Sequence, residues 1–218
     1  NEIIDPSRTL KPGNIRDVNS YPLQTLVRQS GCPYRSLGRI RDDKLQLKNA
    51  IEKARDFDVL ITSGSISMGE RDLLRNCLLE LGLNEIFYKI RIKPGKPVLF
   101  GRLGKTYVFC LPGNTVSTVV TFLLLVRPAL LKLHGRQDIE LERINARTTS
   151  IIQCSKIRKE FIRVSLKKEH GEYWATPTGN QGSSILTSFI GADGLMVVPQ
   201  RESKIEQGDS LPVLVLEI

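Results

Sequence analysis

The sequence predicts an α/β chain. A three-layer, doubly wound, mostly parallel sheet domain comes first and a small all-β domain follows. Helical and strand-like patterns alternate as far as Gly135, the order that lays helices on both faces of a sheet. Asp58-Val59-Leu60-Ile61-Thr62 is a compact apolar run of the kind buried on both faces. After the polar stretch Gln137–Arg143 the pattern becomes short strands separated by Gly, Pro, Ser and Asn, about 75 residues of all-β character.

Along the chain, Asn19 or Ser20 caps a helix that runs to about Ser30 and stops at Gly31. Tyr34–Leu37 is a short strand candidate. Asp42 or Asp43 caps a helix carrying Leu45, Leu47, Ala50, Ile51 and Ala54 at helical spacing. The strand at Asp58–Thr62 follows, then a helix over Asp72–Leu81 ended by Gly82. Ile86–Ile92, Val98–Arg102 and Thr106–Leu111 read as strands. Asn114 caps a long apolar helix to about His134, in which Pro128 requires a kink or a spared hydrogen bond. The expected strands of the last part are Phe161–Leu166, Tyr173–Thr178, Leu195–Val198 and Leu211–Ile218.

The chain has 218 residues, enough for one large or two small domains. Its 40% hydrophobic and 25% charged residues exclude disorder and a disulfide-packed miniprotein. The four cysteines form no CxxC pair, so they are expected to be free thiols in a reducing cytoplasm. Asn1–Asp5 has acids where a secretory leader carries basic residues, so no leader is expected, and with no initiator Met a fragment or processed product is expected. Thr106–Val126 has no charge, yet Leu111-Pro112-Gly113-Asn114 breaks it, so a soluble chain with no membrane partner is expected.

The formal charge is +9, and residues 1–140 hold most of it, with 22 basic and 14 acidic side chains. That favours an anionic partner for the first part. Nucleic acid is disfavoured: the basic residues are interleaved with acids, and aromatics, needed for base stacking, are only 6%.

Four constellations could carry chemistry, and the first three fit an anion. Thr62-Ser63-Gly64-Ser65-Ile66-Ser67-Met68-Gly69 lies between a strand and a helix, where small residues admit a ligand to backbone N–H groups. Leu111-Pro112-Gly113-Asn114-Thr115-Val116-Ser117 repeats that layout at a second strand end, the usual binding edge of such sheets. Lys93-Pro94-Gly95-Lys96-Pro97, with Lys89 on the same face of an extended strand as Lys93, offers clustered ammonium groups on a stiff turn. Asp42, Asp43 and Asp72, with Glu2 upstream, are either helix caps or carboxylates for Mg2+ beside a bound phosphate. In the β part, Arg163 lies within a strand, and Gly179-Asn180-Gln181-Gly182-Ser183-Ser184 is a polar turn.

Together with Gly13-Asn14-Ile15-Arg16-Asp17-Val18-Asn19-Ser20, these segments occur in the order and spacing of one family. The chain resembles the molybdopterin molybdotransferases, the molybdenum-insertion enzymes that include the gephyrin E domain. The resemblance implies an incomplete entry segment at residues 1–13, a molybdopterin-binding α/β domain at 14–138 and a β-barrel domain at 139–218. It aligns Asn1-Glu2 with the end of the family's first α/β strand, so that strand and two preceding domains are expected to be missing. It implies insertion of molybdate into adenylylated molybdopterin with release of AMP, in a cytoplasmic homodimer with hand-over partners. Asp72, Lys89, Lys93, Lys96 and Asp42 would be catalytic, and Glu2, Asp42 and Asp72 would hold Mg2+. Ser63, Gly64, Ser67, Gly69, Pro112, Gly113, Asn114, Ser117, Arg163 and Ser184 would contact cofactor or molybdate. Ser65 stands where the family has a second Gly, and Thr115 where it has Pro. A non-catalytic pterin-binding or scaffold module of the same family is the alternative.

Overall fold

The computed structural model describes residues 2–64 and 72–216. Two short parallel strands, β1 (Ile3–Ile4) and β2 (Ile15–Arg16), precede helix α1 (Ser20–Gln29). Then come α2 (Lys44–Ala54), β3 (Val59–Ser63), α3 (Leu73–Glu80), β4 (Asn84–Tyr88), β5 (Ile92–Lys93), β6 (Leu99–Leu103) and β7 (Thr106–Leu111). The strands β3, β7, β6 and β4 form one sheet in that order.

Period-two alternation along β7 explains the three layers. Phe109 and Leu111 face a cluster with Leu26 and Val27 of α1 and Val116 and Val120 of the following helix. Val108 and Cys110 face the opposite cluster, built on Leu47 and Ile51 of α2 and Leu74 and Leu78 of α3. Helices therefore cover both faces, as the alternation predicts. The sheet itself is mixed. β3 runs parallel to β7, but β6 is antiparallel to both β7 and β4. The turn between β6 and β7, at Gly104-Lys105, is too short for anything but a hairpin.

The long apolar helix spans Thr115–Leu133, and 61% of its most apolar window is buried inside the protein. It is long and apolar enough to cross a membrane, but its position is that of a core helix. It divides into α4 (Thr115–Thr121), a π-helical turn (Phe122–Val126) and α5 (Arg127–Leu133). Pro128 sits in the first turn of α5, and the Arg127 N–H reaches back to Phe122 O. The five-residue reach widens the helix just before the proline, so the missing N–H is accommodated by a wide turn.

The last part closes into a barrel. Strands β8 (Arg143–Thr148), β9 (Lys159–Glu169), β10 (Glu172–Pro177), β11 (Gly194–Val198) and β12 (Ser210–Val215) pair in the ring β10-β8-β12-β11-β9, and β9 pairs back to β10. Val164, Ala175, Met196 and Val213 fill it. β5, from the first part, adds a parallel strand to β9, pairing Lys93 with Glu160. Phe161 and Leu195 share the apolar cluster of α4. The barrel is thus joined to the α/β layers by a strand and by a core.

Two expectations fail. Tyr34–Leu37 is not a strand. Tyr34 instead lies against α1, its hydroxyl bonded to Gln24 and Arg28, and its ring lies under the Arg28 guanidinium. Ile86–Ile92 is not one strand either, because Lys89 has φ 67 and turns the chain from the sheet toward the barrel.

Candidate functional site

The first constellation begins at the carboxyl end of β3. Ser63 ends that strand, and Gly64, at φ 84, takes the left-handed turn that a glycine enters without strain. Ser65, Ser67 and Gly69 lie outside the described residues. Beyond them, Asp72 is 4% exposed. Asp72 caps α3, its carboxylate accepting from the Arg75 N–H at 3.0 Å. At the end of β7, Pro112 is buried while Gly113 and Asn114 are exposed. A methyl group placed on Gly113 would stand 3.6 Å from Gly64 Cα, so the two loops touch.

Hydrogen bonds join them. The Gly64 N–H donates to Leu111 O at 3.3 Å, and Ser63 Oγ to Pro112 O at 3.3 Å. Thr118, fully buried in the first turn of α4, donates to Pro112 O at 2.6 Å. Asn19 Nδ2 donates to both Ser63 Oγ, at 2.8 Å, and Gly113 O, at 2.7 Å. Asn114 Nδ2 donates to Ser183 Oγ at 2.9 Å, which brings the barrel turn carrying Ser184 to the same place. Ser184 itself is exposed.

The lysine turn sits on the same helix. Ser117 is buried, and its carbonyl accepts from Thr121 Oγ1 at 2.7 Å one turn on. Gly95 packs so tightly on Thr121 that an added Cβ would be 2.5 Å from Thr121 Cγ2. Ile90 N–H and Val98 N–H both donate to Lys96 O at 3.1 Å, closing the turn. The lysines have different surroundings. Lys93 is half-exposed and ion-paired with Glu160 of the barrel at 3.3 Å. Lys89 Nζ lies 4.5 Å from the centre of the Tyr88 ring. The expectation that Lys89 and Lys93 line one strand face fails with the strand break at Lys89.

Arg163 occupies a different position from a ligand contact on a surface. It is 1% exposed inside β9, and burial pushes its guanidinium down to about 10. Its Nε donates to Ser188 Oγ at 3.0 Å and its Nη2 to Gly182 O at 3.4 Å. Its backbone N–H donates to Gln181 Oε1 at 2.9 Å. Arg163 therefore braces the turn that carries Ser183 and Ser184.

The acids do not converge. Asp42 is exposed; its neighbour Asp43 caps α2, accepting from the Gln46 N–H at 2.8 Å. Glu2 is exposed at the start of β1, where its carbonyl accepts from the Ile15 N–H at 2.9 Å. Among the described residues no group of three or more His, Cys, Asp or Glu gathers, so Glu2, Asp42 and Asp72 do not assemble a Mg2+ site together.

Two of these residues were not singled out as site residues from the sequence. Asn19 reads as a helix cap, but it makes no side-chain cap bond. Asp17 takes that role, accepting from the Ser20 N–H at 3.0 Å. Thr118 reads as one polar residue in an apolar helix. Its spacing of six from Pro112 was the only signal that it folds back on the turn.

Strand-end loops, a basic turn and a barrel turn meeting on one helix belong to an α/β protein with an attached barrel. Residues 2–132 match the family described as "Probable molybdopterin binding domain", and residues 145–216 match "MoeA C-terminal region (domain IV)". The chain belongs to the first of these families and carries the second region behind it. It is 30% identical to a protein named molybdopterin molybdenumtransferase of Haemophilus influenzae, matching 97% of this chain and 53% of that protein. It is 34% identical to the molybdenum cofactor synthesis protein cinnamon of Drosophila melanogaster (99% and 37%). It is 33% identical to gephyrin of Dictyostelium discoideum (96% and 34%). A crystal structure of a molybdopterin biosynthesis MoeA protein from Pyrococcus superposes with TM-score 0.82 at 34% identity, covering 99% of this chain and 52% of that one. The chain thus spans about half, or less, of the length of these relatives.

Proposed function

We propose that this chain works in molybdenum cofactor biosynthesis, where it binds adenylylated molybdopterin and supports insertion of molybdate with release of AMP. The observation that carries the reading is the meeting of four segments. The Ser63-Gly64 and Pro112–Asn114 loops touch, Asn114 reaches Ser183, and the lysine turn packs on Thr121 of the same helix. The substrate carries phosphate groups and molybdate is an oxyanion, so both need N–H, hydroxyl and ammonium donors. Lys93 and Lys96, with Lys89 beside them, would neutralise charge at the reacting phosphoanhydride. Loop N–H groups and the hydroxyls of Ser63, Ser117 and Ser184 would orient the phosphate and the oxyanion. Ser67 and Gly69 would be further cofactor contacts, and Asp72 a further catalytic group, in this reading.

Mg2+ is part of the expectation carried by the family resemblance. It needs only one or two carboxylates when phosphate oxygens supply the rest. Among the described residues no group of three or more acids gathers, so the reading rests on the cationic and N–H donors. The enzyme is proposed to act in the cytoplasm as a homodimer that passes its product to a partner. The test is molybdate-dependent AMP release from adenylylated molybdopterin, followed anaerobically with and without molybdate. AMP formed at the same rate without molybdate would contradict the molybdate-coupled reading, and no AMP from a folded chain that still binds the substrate would favour the non-catalytic pterin-binding module.

A further inference from the structure

We infer that Asn19 is a positioning residue that fixes the spacing of the two strand-end loops, through one amide nitrogen shared between them. Its consequence for ligand binding rests on the reading of those loops given above; the contact itself does not.

Asn19 Nδ2 lies 2.8 Å from Ser63 Oγ and 2.7 Å from Gly113 O. A carbonyl only accepts, so Gly113 fixes which end of the amide points at the loops. The other direct links between the loops are longer. Gly64 N to Leu111 O and Ser63 Oγ to Pro112 O are both 3.3 Å. Among the described residues, then, the shortest tie between the two loops runs through a third segment. Asn19 is free to make it because Asp17 does the capping. Asp17 Oδ1 accepts from the Asn19 and Ser20 N–H groups at 3.2 and 3.0 Å, and Oδ2 from Ser20 Oγ at 2.6 Å. The remaining amide atom, Oδ1, is buried and has no hydrogen-bond partner among the described residues.

The residue type follows from this geometry. Alanine lacks the reach. Aspartate has the size of asparagine but no donor, and it would set a carboxylate against the Gly113 carbonyl. Hydrogen exchange read on peptides covering 59–64 and 111–118 tests the inference without any ligand, using Asn19→Ala and Asn19→Asp. Both variants are expected to exchange about tenfold faster in those two segments, with α2 and β6 unchanged. In calorimetry both are expected to bind adenylylated molybdopterin about tenfold or more weakly, Asn19→Asp the worse because it adds a negative charge beside an anion. Unchanged exchange in both loops would overturn the inference. So would a uniform rise that includes α2 and β6, which would mean general loosening. Faster loop exchange in variants of a protein that does not bind the pterin at all would uphold the positioning role and remove the ligand reading.

Discussion

Thr118 is fully buried, and its hydroxyl is the hydrogen-bond donor that holds the Pro112 carbonyl at 2.6 Å. Thr118→Val keeps the shape and leaves that carbonyl only the longer bond from Ser63 Oγ, at 3.3 Å. The expected loss is about 0.5–1.5 kcal/mol of stability, read as a lower urea midpoint with unchanged slope. Cys110, also fully buried, has its thiol pushed up to about 12, chiefly by burial. An acid whose folded pKa is raised keeps its proton in the native state while the unfolded chain ionises near pH 9. Stability therefore falls as pH rises from about 9 toward 12. Comparison with Cys110→Ala isolates this group. The wild-type advantage is expected to shrink by about 1 kcal/mol between pH 9 and 10, measured by denaturant unfolding at each pH. An advantage constant with pH would contradict it.

At the scale of elements, the lysine turn is held by packing more than by its own stiffness. Gly95 has φ 110 and no room for a Cβ beside Thr121. Gly95→Ala is expected to cost about 1–3 kcal/mol and to push the turn off α4. Adding Thr121→Ser removes the clashing methyl and should recover part of the loss, while the backbone strain at position 95 stays. Equal stability of the single and double variants would show that the contact does not matter.

Much of the element layout was legible because period and punctuation were strong. The apolar run before Ser63, the glycine after Leu81 and the proline in the long helix each left a local mark. The strand β8 did not. In Arg143–Thr148 only Ile144 and Ala146 are apolar, and the inward Thr148 reads as polar. The run Ile86–Ile92 misleads because the break comes from a lysine at positive φ, a conformation with no signature outside glycine and asparagine. The loops of the candidate site were visible as small-residue turns. The Asn19 tie was not, because it joins residues 44 and 94 positions apart, a spacing with no periodic signal.

For the whole molecule, the α/β layers and the barrel meet beside the candidate loops. β5 pairs with β9, so Lys93 faces Glu160, and the Asn114–Ser183 bond spans the same junction. Residues 1–140, which carry most of the positive charge, supply one side of this junction. An anion reaching Lys93 must compete with Glu160, whose side chain is 13% exposed against 50% for Lys93. Removing Lys93 would leave that carboxylate facing the anion. Lys93→Ala is therefore expected to cost more binding than Lys96→Ala, and Glu160→Gln added to Lys93→Ala should restore part of it.

The measurement that tests the account most directly is an anaerobic calorimetric titration of the protein with adenylylated molybdopterin, with Lys93→Ala and Lys96→Ala beside it. Each lysine is expected to contribute a charge-assisted hydrogen bond of about 1.5–3 kcal/mol, so each variant should bind about tenfold to a hundredfold more weakly. Both variants binding as tightly as the wild type would contradict the placing of the substrate anion on the lysine turn.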